Sequence, residues 1–196
     1  MRNLLKIVVT GPVGAGKTTF IRSISEIEVV DTDRRPTDET AEMKSGTTVA
    51  MDFGRITLGD EMWVQIYGTP GQSRFDFMWD ILIQGAHGYI LLVPAHLPGS
   101  MRAARSIKAF MQQRTQIPMV IGITHADHPD AWEIEDIQMI LADTDAAHQY
   151  VVLNPTQPQS VAETLLVLIQ ELSNAATPDE KSAAEGIDLP DTACLK

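Results

Sequence analysis

Gly11 to Thr18, GPVGAGKT, lies between the apolar run LLKIVVT (residues 4–10) and a segment of helical spacing that opens at Lys17. It satisfies G-x-x-x-x-G-K-[ST] at every specified position. A glycine-rich turn between a strand and a helix curls backbone N–H groups around a phosphate, and the helix N-terminus favours the negative charge. Read this way, Val13, Gly14, Ala15, Gly16 and Thr19 line the phosphates, Lys17 reaches the β- and γ-phosphates, and the Thr18 hydroxyl ligates Mg²⁺. The stretch reads as a phosphate loop, and it sets the fold expected around it.

Outward from the loop, apolar runs of strand length alternate with helix-period segments, the pattern of an α/β domain with a mostly parallel sheet. The strand candidates are residues 4–10, 48–58, 61–67, 88–94, 118–124 and 149–153. Gly59-Asp60 between the second and third is a two-residue turn signal, so those two strands form an antiparallel hairpin. The other runs are of the buried type and require crossover helices. Helices are expected from Lys17 to Ser25, Phe75 to Gln84 and Ser100 to Gln113. A fourth opens at Pro129-Asp130 with Glu133 as capping partner, and a fifth opens on the capping box Ser160 to Glu163. The expected architecture is a three-layer P-loop NTPase domain, with a six-stranded, mostly parallel sheet, one antiparallel hairpin strand and helices on both faces.

Composition bounds the function. The chain has 196 residues, 44% apolar and 21% charged, and suits one globular domain over residues 1–174. A net charge of −11 argues against nucleic-acid partners and against a stable membrane anchor through charge alone. The single cysteine, Cys194, excludes an internal disulfide framework and fits a reducing cytoplasm. Residues 175–196 are acidic and poor in large apolar side chains, so they read as a disordered tail, whose final Cys-Leu-Lys is one residue short of a prenylation box. Asp31 to Thr47 is a long polar segment within the domain, and such loops are usually functional or mobile.

Within the hairpin, TTVAMDF followed by VQIYGTPGQSRF resembles the "TIGVDF…QIWDTAGQERF" pattern of small Ras-like GTPases. YGTPGQ followed by RFDFMWDILIQGAHGYILLV resembles more closely their bacterial and archaeal MglA-like branch. In that branch the magnesium-side aspartate is commonly absent, and here its position is Gly68. The resemblance covers roughly residues 4–172 and implies GTP or GDP with Mg²⁺ as ligands. It assigns Thr48 to Mg²⁺ and the γ-phosphate, with Thr47 a competitor, gives Gly71 a backbone N–H to the γ-phosphate, and has Gln72 orient the attacking water. Lys17, Gly71 and Gln72 are thus the expected catalytic set, with Thr18 and Thr48 as metal ligands. The missing carboxylate belongs to the outer shell of the metal, so its loss weakens rather than abolishes binding. A glycine at 68 is also expected to free the backbone at positive φ, and Gly68→Asp to tighten Mg²⁺.

Base recognition departs from the family pattern. Where relatives carry Asn-Lys-x-Asp, VIGITHAD supplies Thr124, His125, Ala126 and Asp127. The Asp127 carboxylate can accept from both N1–H and the 2-amino group of guanine, a donor pair that adenine lacks. Thr124 replaces part of an asparagine's bonding, His125 is placed to stack on the base, and Asn154-Pro155-Thr156 matches the last motif by position alone. Val13 crowds the path of an external arginine finger, which makes Arg55, Arg74, Arg34 and Arg35 candidates for a built-in one. Phe75, Phe77, Met78 and Trp79 offer apolar surface, at least half of it expected to be buried against the sheet. The resemblance implies a GTP-hydrolysing two-state switch, monomeric alone, regulated by a roadblock-type partner. A nucleotide-binding scaffold with negligible hydrolysis and an ATP-dependent phosphoryl transferase are the alternatives.

Overall fold

A computed structural model of the chain describes residues 3–31, 51–59, 62–72, 75–141 and 148–175. The order of elements is β1 (Asn3–Thr10), α1 (Lys17–Ile24), β2 (Val30–Asp31), β3 (Asp52–Leu58), β4 (Met62–Gly68), α2 (Asp76–Ile83) and β5 (Gly88–Pro94). Then follow α3 (Pro98–Gln112), β6 (Met119–Thr124), α4 (Ile134–Leu141), β7 (Gln149–Val152) and α5 (Pro158–Ala175). Among the described residues the strands form one sheet in the order β2-β3-β4-β1-β5-β6-β7. The six expected strands are all present, and the two-residue β2 adds an edge beyond β3 by pairing Val30 with Phe53. Only β3 runs against the rest, since β4, β5, β6 and β7 connect through parallel pairs.

Burial explains why the central strands read as continuous apolar runs. Every residue of β5 and β6 is buried, as strands covered by helices on both faces require. On one face Phe20 and Ile21 of α1 and Val161, Leu165 and Leu168 of α5 pack with Ile7, Val9, Val64 and Ile66. On the other, Trp79 and Leu82 of α2, Ile107 and Met111 of α3, and Ile137 and Leu141 of α4 pack with Val8, Leu91, Val93 and Ile121. The result is a three-layer α/β P-loop NTPase fold. From central β1 the chain first builds the β4 side, then returns to build the β5 side. The phosphate loop therefore leaves β1 where strand order reverses, at the carboxyl edge where such folds bind ligands.

Three local expectations need correction. Leu58 pairs with Met62, so residues 59–61 join the hairpin rather than Gly59-Asp60 alone. The core dictates this register. It sets Ile56 opposite Val64 and Gly54 opposite Ile66, all four buried on one face, whereas a one-residue slip would turn half of them outward. The helix expected at Pro129-Asp130 begins instead at Ile134. The backbone before it is spent elsewhere: Ala131 N–H donates to His128 O at 2.9 Å and Trp132 N–H to Ala95 O at 3.0 Å. Finally, α5 starts two residues before the expected capping box, with Pro158 at its first position, where the missing N–H costs nothing. Ser160 Oγ accepts from Asn154 N–H (3.0 Å) and Glu163 pairs with Gln159 (3.1 Å), so neither forms the reciprocal cap.

Candidate functional site

The phosphate loop is shaped by its glycines. Gly14 and Gly16 have φ of 81° and 89°, in the left-handed region that side chains rarely adopt. Gly16 leads directly into α1, whose first bond runs from Phe20 N–H to Gly16 O at 2.8 Å. Lys17 is buried, and its Nζ donates to Gly11 O (2.8 Å) and Pro12 O (2.7 Å). An ammonium has three protons, so one remains for a phosphate. Burial lowers its pKa from 10.5 to about 8, and the nearby Asp52 charge opposes the shift. Around the loop Val13 is 61% exposed, Gly14 and Thr19 are exposed, and Ala15 is buried.

Sequence reasoning used Asp52 only to count spacing, yet its side chain enters the site. Thr18 Oγ1 donates to Asp52 Oδ2 at 2.6 Å. Asp52 is paired across the hairpin with Gly68, the position of the missing aspartate. A Cβ on Gly68 would stand 3.0 Å from Asp52 Cβ, 3.1 Å from Asp52 Oδ2 and 2.9 Å from Ile21 Cδ1. The carboxylate thus arrives from the neighbouring strand and occupies the room a side chain at 68 would need. The expectation of positive φ at Gly68 is overturned, because Gly68 is not among the glycines with positive φ. It is a close-approach glycine, and Gly68→Asp would crowd Asp52. A hydroxyl and a carboxylate side by side are the hard oxygen donors that Mg²⁺ takes, so this pair fits the ion. The described residues contain no cluster of three or more His, Cys, Asp or Glu that could hold a metal by themselves, so a shell built on this pair needs further donors of other kinds, phosphate and water among them. Thr48 and Thr47 lie outside the described residues, as do Arg34, Arg35, Arg74 and Cys194.

The loop between β4 and α2 closes over the phosphate loop. Thr69 N–H donates to Val9 O (2.9 Å), and its hydroxyl donates to that of Thr10 (2.9 Å). At Gly71 a Cβ would stand 2.7 Å from Val13 N and 2.8 Å from Lys17 Nζ, so only glycine permits this approach. Gln72 follows with its side chain exposed. Trp79 Nε1 donates to Pro70 O at 2.9 Å and fastens the loop to α2. Of the four apolar residues singled out there, Trp79 is buried, Phe75 and Met78 are half-buried, and Phe77 is 49% exposed. Arg55 does not reach this site. Asp52, Gly54 and Ile56 share the α1 face of β3, and Arg55 points to the other, its guanidinium 5.0 Å from the Trp63 ring.

On the far side, Thr124 Oγ1 donates to Ala15 O at 3.1 Å, which ties the loop after β6 to the phosphate loop. That hydroxyl has one proton, already given, so His125 Nδ1 donates to Thr124 Oγ1 across 3.0 Å. His125 takes φ 57°, and Asp127 follows with its carboxylate exposed. Asn154 Oδ1 accepts from Thr156 N–H (3.0 Å) and Thr156 Oγ1 (2.7 Å), so its side chain shapes its own turn. Pro155 is buried, and a Cβ on Gly16 would stand 3.0 Å from its Cγ.

A family model described as "Conserved hypothetical ATP binding protein" matches residues 27–189. The match begins beyond the phosphate loop and takes in both hairpin strands and the Thr124–Asp127 loop. The chain is 29% identical over 127 residues to an uncharacterized protein of Methanocaldococcus jannaschii, covering 64% of this chain and 73% of that one. It is 27% identical over 123 residues to the Ras-related protein RabC of Dictyostelium discoideum, covering 60% and 57%. It is 23% identical over 123 residues to an intraflagellar transport protein 22 homolog of Xenopus tropicalis, covering 61% and 64%. The chain thus spans less than two thirds of those last two relatives.

Proposed function

The chain belongs to the family of conserved hypothetical ATP binding proteins, and from that premise we propose that it is a small Ras-like switch hydrolysing GTP to GDP and phosphate. The observation that carries the reading is Gly71 lying within contact of Val13 N and Lys17 Nζ. A loop that touches the phosphate loop, and is fastened through Trp79 to α2, senses whether a γ-phosphate is present. Lys17 offers its third proton to the β- and γ-phosphates, the Gly71 N–H holds the γ-phosphate, and exposed Gln72 orients the attacking water. Thr18, oriented by Asp52 and joined by Thr48, would hold Mg²⁺, which would supply positive charge to offset that of the phosphates. Thr18 keeps a lone pair for the ion while its proton goes to Asp52, whose carboxylate orients it as outer-shell partners do.

The MglA-like resemblance extends the reading to a roadblock-type regulator. Phe77 and Ile81, 49% and 56% exposed one turn apart on α2, are the apolar surface offered to it. The family's own description favours a second reading, an ATP-binding protein. Against it stands Asp127, whose carboxylate suits the donor pair of guanine. Denaturing the purified protein and chromatographing the released nucleotide separates the two. GDP is expected, and ADP or ATP alone would replace the guanine reading with the adenine one.

A further inference from the structure

Three histidines meet beside the base-side loop. The His96 ring lies 4.5 Å from that of His125, tilted by 43°, and 4.7 Å from that of His128, tilted by 34°. The three imidazoles thus form a short stack with His96 in the middle. Hydrogen bonds fix two of the tautomers. His125 carries its proton on Nδ1, because Thr124 Oγ1 has given its own to Ala15 O. His128 Nδ1 is a lone pair, because it accepts from Asp130 N–H at 3.1 Å. His96 Nδ1 is buried with no hydrogen-bond partner among the described residues. The stack sits at the carboxyl ends of β5 and β6, adjoining Asp127. Leu97, the residue after His96, lies against the phosphate loop, since a Cβ on Gly14 would stand 3.5 Å from its Cδ1.

We propose that His96 is a positioning residue for the nucleotide base, holding His125 as one face of a platform of packed imidazoles, and that protonation of His96 competes with nucleotide binding. The proposal rests on the nucleotide reading above. Stacking on an aromatic face suits any base, so the platform supplies grip while Asp127 supplies choice. Histidine is the side-chain type whose charge changes near neutral pH, which makes His96 the group through which pH can act on the platform. Protonating His96 at Nδ1 would create a buried N–H without an acceptor. The titratable and charged groups acting on His96 are His125, His128 and Asp130. Burial first, then the two neighbouring imidazoles, lower its pKa below the ordinary 6.5, and Asp130 opposes them. With the pKa depressed in the assembled stack, a loosened stack binds more protons between that depressed value and the ordinary one. The assembled platform is fully favoured above the ordinary value and loses ground as pH falls through that window. A base laid on His125 desolvates the stack further and deepens the effect.

The test is titration of fluorescent GDP against the full chain between pH 5.5 and 8.0, in the parent, His96→Phe and His96→Asn. One linked proton changes affinity by at most about tenfold per pH unit, so the parent should weaken roughly three- to tenfold across the range. His96→Phe keeps a ring in the stack, and should match the parent at pH 8.0 with a flatter profile. His96→Asn removes the ring and should bind more weakly even at pH 8.0. The phenylalanine variant also controls for titration of the nucleotide itself. A flat parent profile, an unchanged slope in His96→Phe, or unchanged affinity in His96→Asn would each overturn the proposal. Absence of binding at every pH by folded parent protein would overturn the nucleotide reading, and the platform with it.

Discussion

Lys17 and Asp52 show how much single side chains decide here. The Lys17 pKa, lowered by burial to about 8 from 10.5, means that between those values the folded protein holds fewer protons than the unfolded chain. Stability from this group therefore rises with pH across that window. A phosphate against Nζ restores the charge, so nucleotide binding at pH 9 should take up a proton. Calorimetry in buffers of different ionisation enthalpy measures it, and Lys17→Ala should abolish both the uptake and tight binding. Asp52→Asn keeps an acceptor for Thr18 but removes the charge beside it. Its Mg²⁺ affinity in the presence of nucleotide should fall about 10–100-fold, as losses of outer-shell carboxylates do. An unchanged Mg²⁺ titration would place the metal away from Asp52. The phosphate loop was legible in the sequence because each specified residue answers a local need: glycine for positive φ, lysine for charge, threonine for a hydroxyl. Asp52 was not, because its role depends on facing Gly68 across a hairpin, and the two-residue turn read from Gly59-Asp60 would have set it opposite Tyr67 instead.

Elements transmit what the residues hold. The α2 helix is fastened from two adjacent positions near its middle, by Trp79 to Pro70 O and by the Asp80–Arg114 ion pair to the chain just after α3. The Trp79 ring also meets Phe110 of α3 edge-on, with centroids 5.1 Å apart. Trp79→Phe keeps most of this burial but leaves the Pro70 carbonyl without its donor. Unfolding free energy should drop by about 1 kcal/mol, and amide exchange should quicken between residues 69 and 72. An equal change in exchange throughout α3 would mean that the bond stabilises the core generally rather than the loop. At this scale the sequence was informative where periodicity was strong, as in β5, β6 and α3. It failed at the starts of α4 and α5. There, tertiary bonds from Trp132 N–H to Ala95 O and from Asn154 N–H to Ser160 Oγ took groups that local capping rules assign to the helix. Capping rules see only residues within about one turn, and these partners come from the loop after β5 and from six residues upstream of Ser160.

The whole molecule gathers one site from four loops on one edge of the sheet. The phosphate loop after β1, Gly71 and Gln72 after β4, Thr124 to Asp127 after β6, and Pro155 after β7 all lie at strand carboxyl ends. Thr124 and Pro155 brace the phosphate loop on one side, while Gly71 approaches it on the other and Thr69 ties that second loop to the end of β1. No described helix is long and apolar enough to cross a membrane. Whether this frame works as a switch comes down to cleavage of the γ-phosphate. Single-turnover release of phosphate from GTP with Mg²⁺ should be measured in the parent and in Gln72→Leu, beside the affinity of each for GTP. Gln72 is exposed and assigned to the attacking water rather than to ground-state binding. Slow release by the parent, at least tenfold slower release by Gln72→Leu and nearly equal affinities are the expected result; equal rates in the two proteins, or no release from parent protein saturated with GTP, would contradict it.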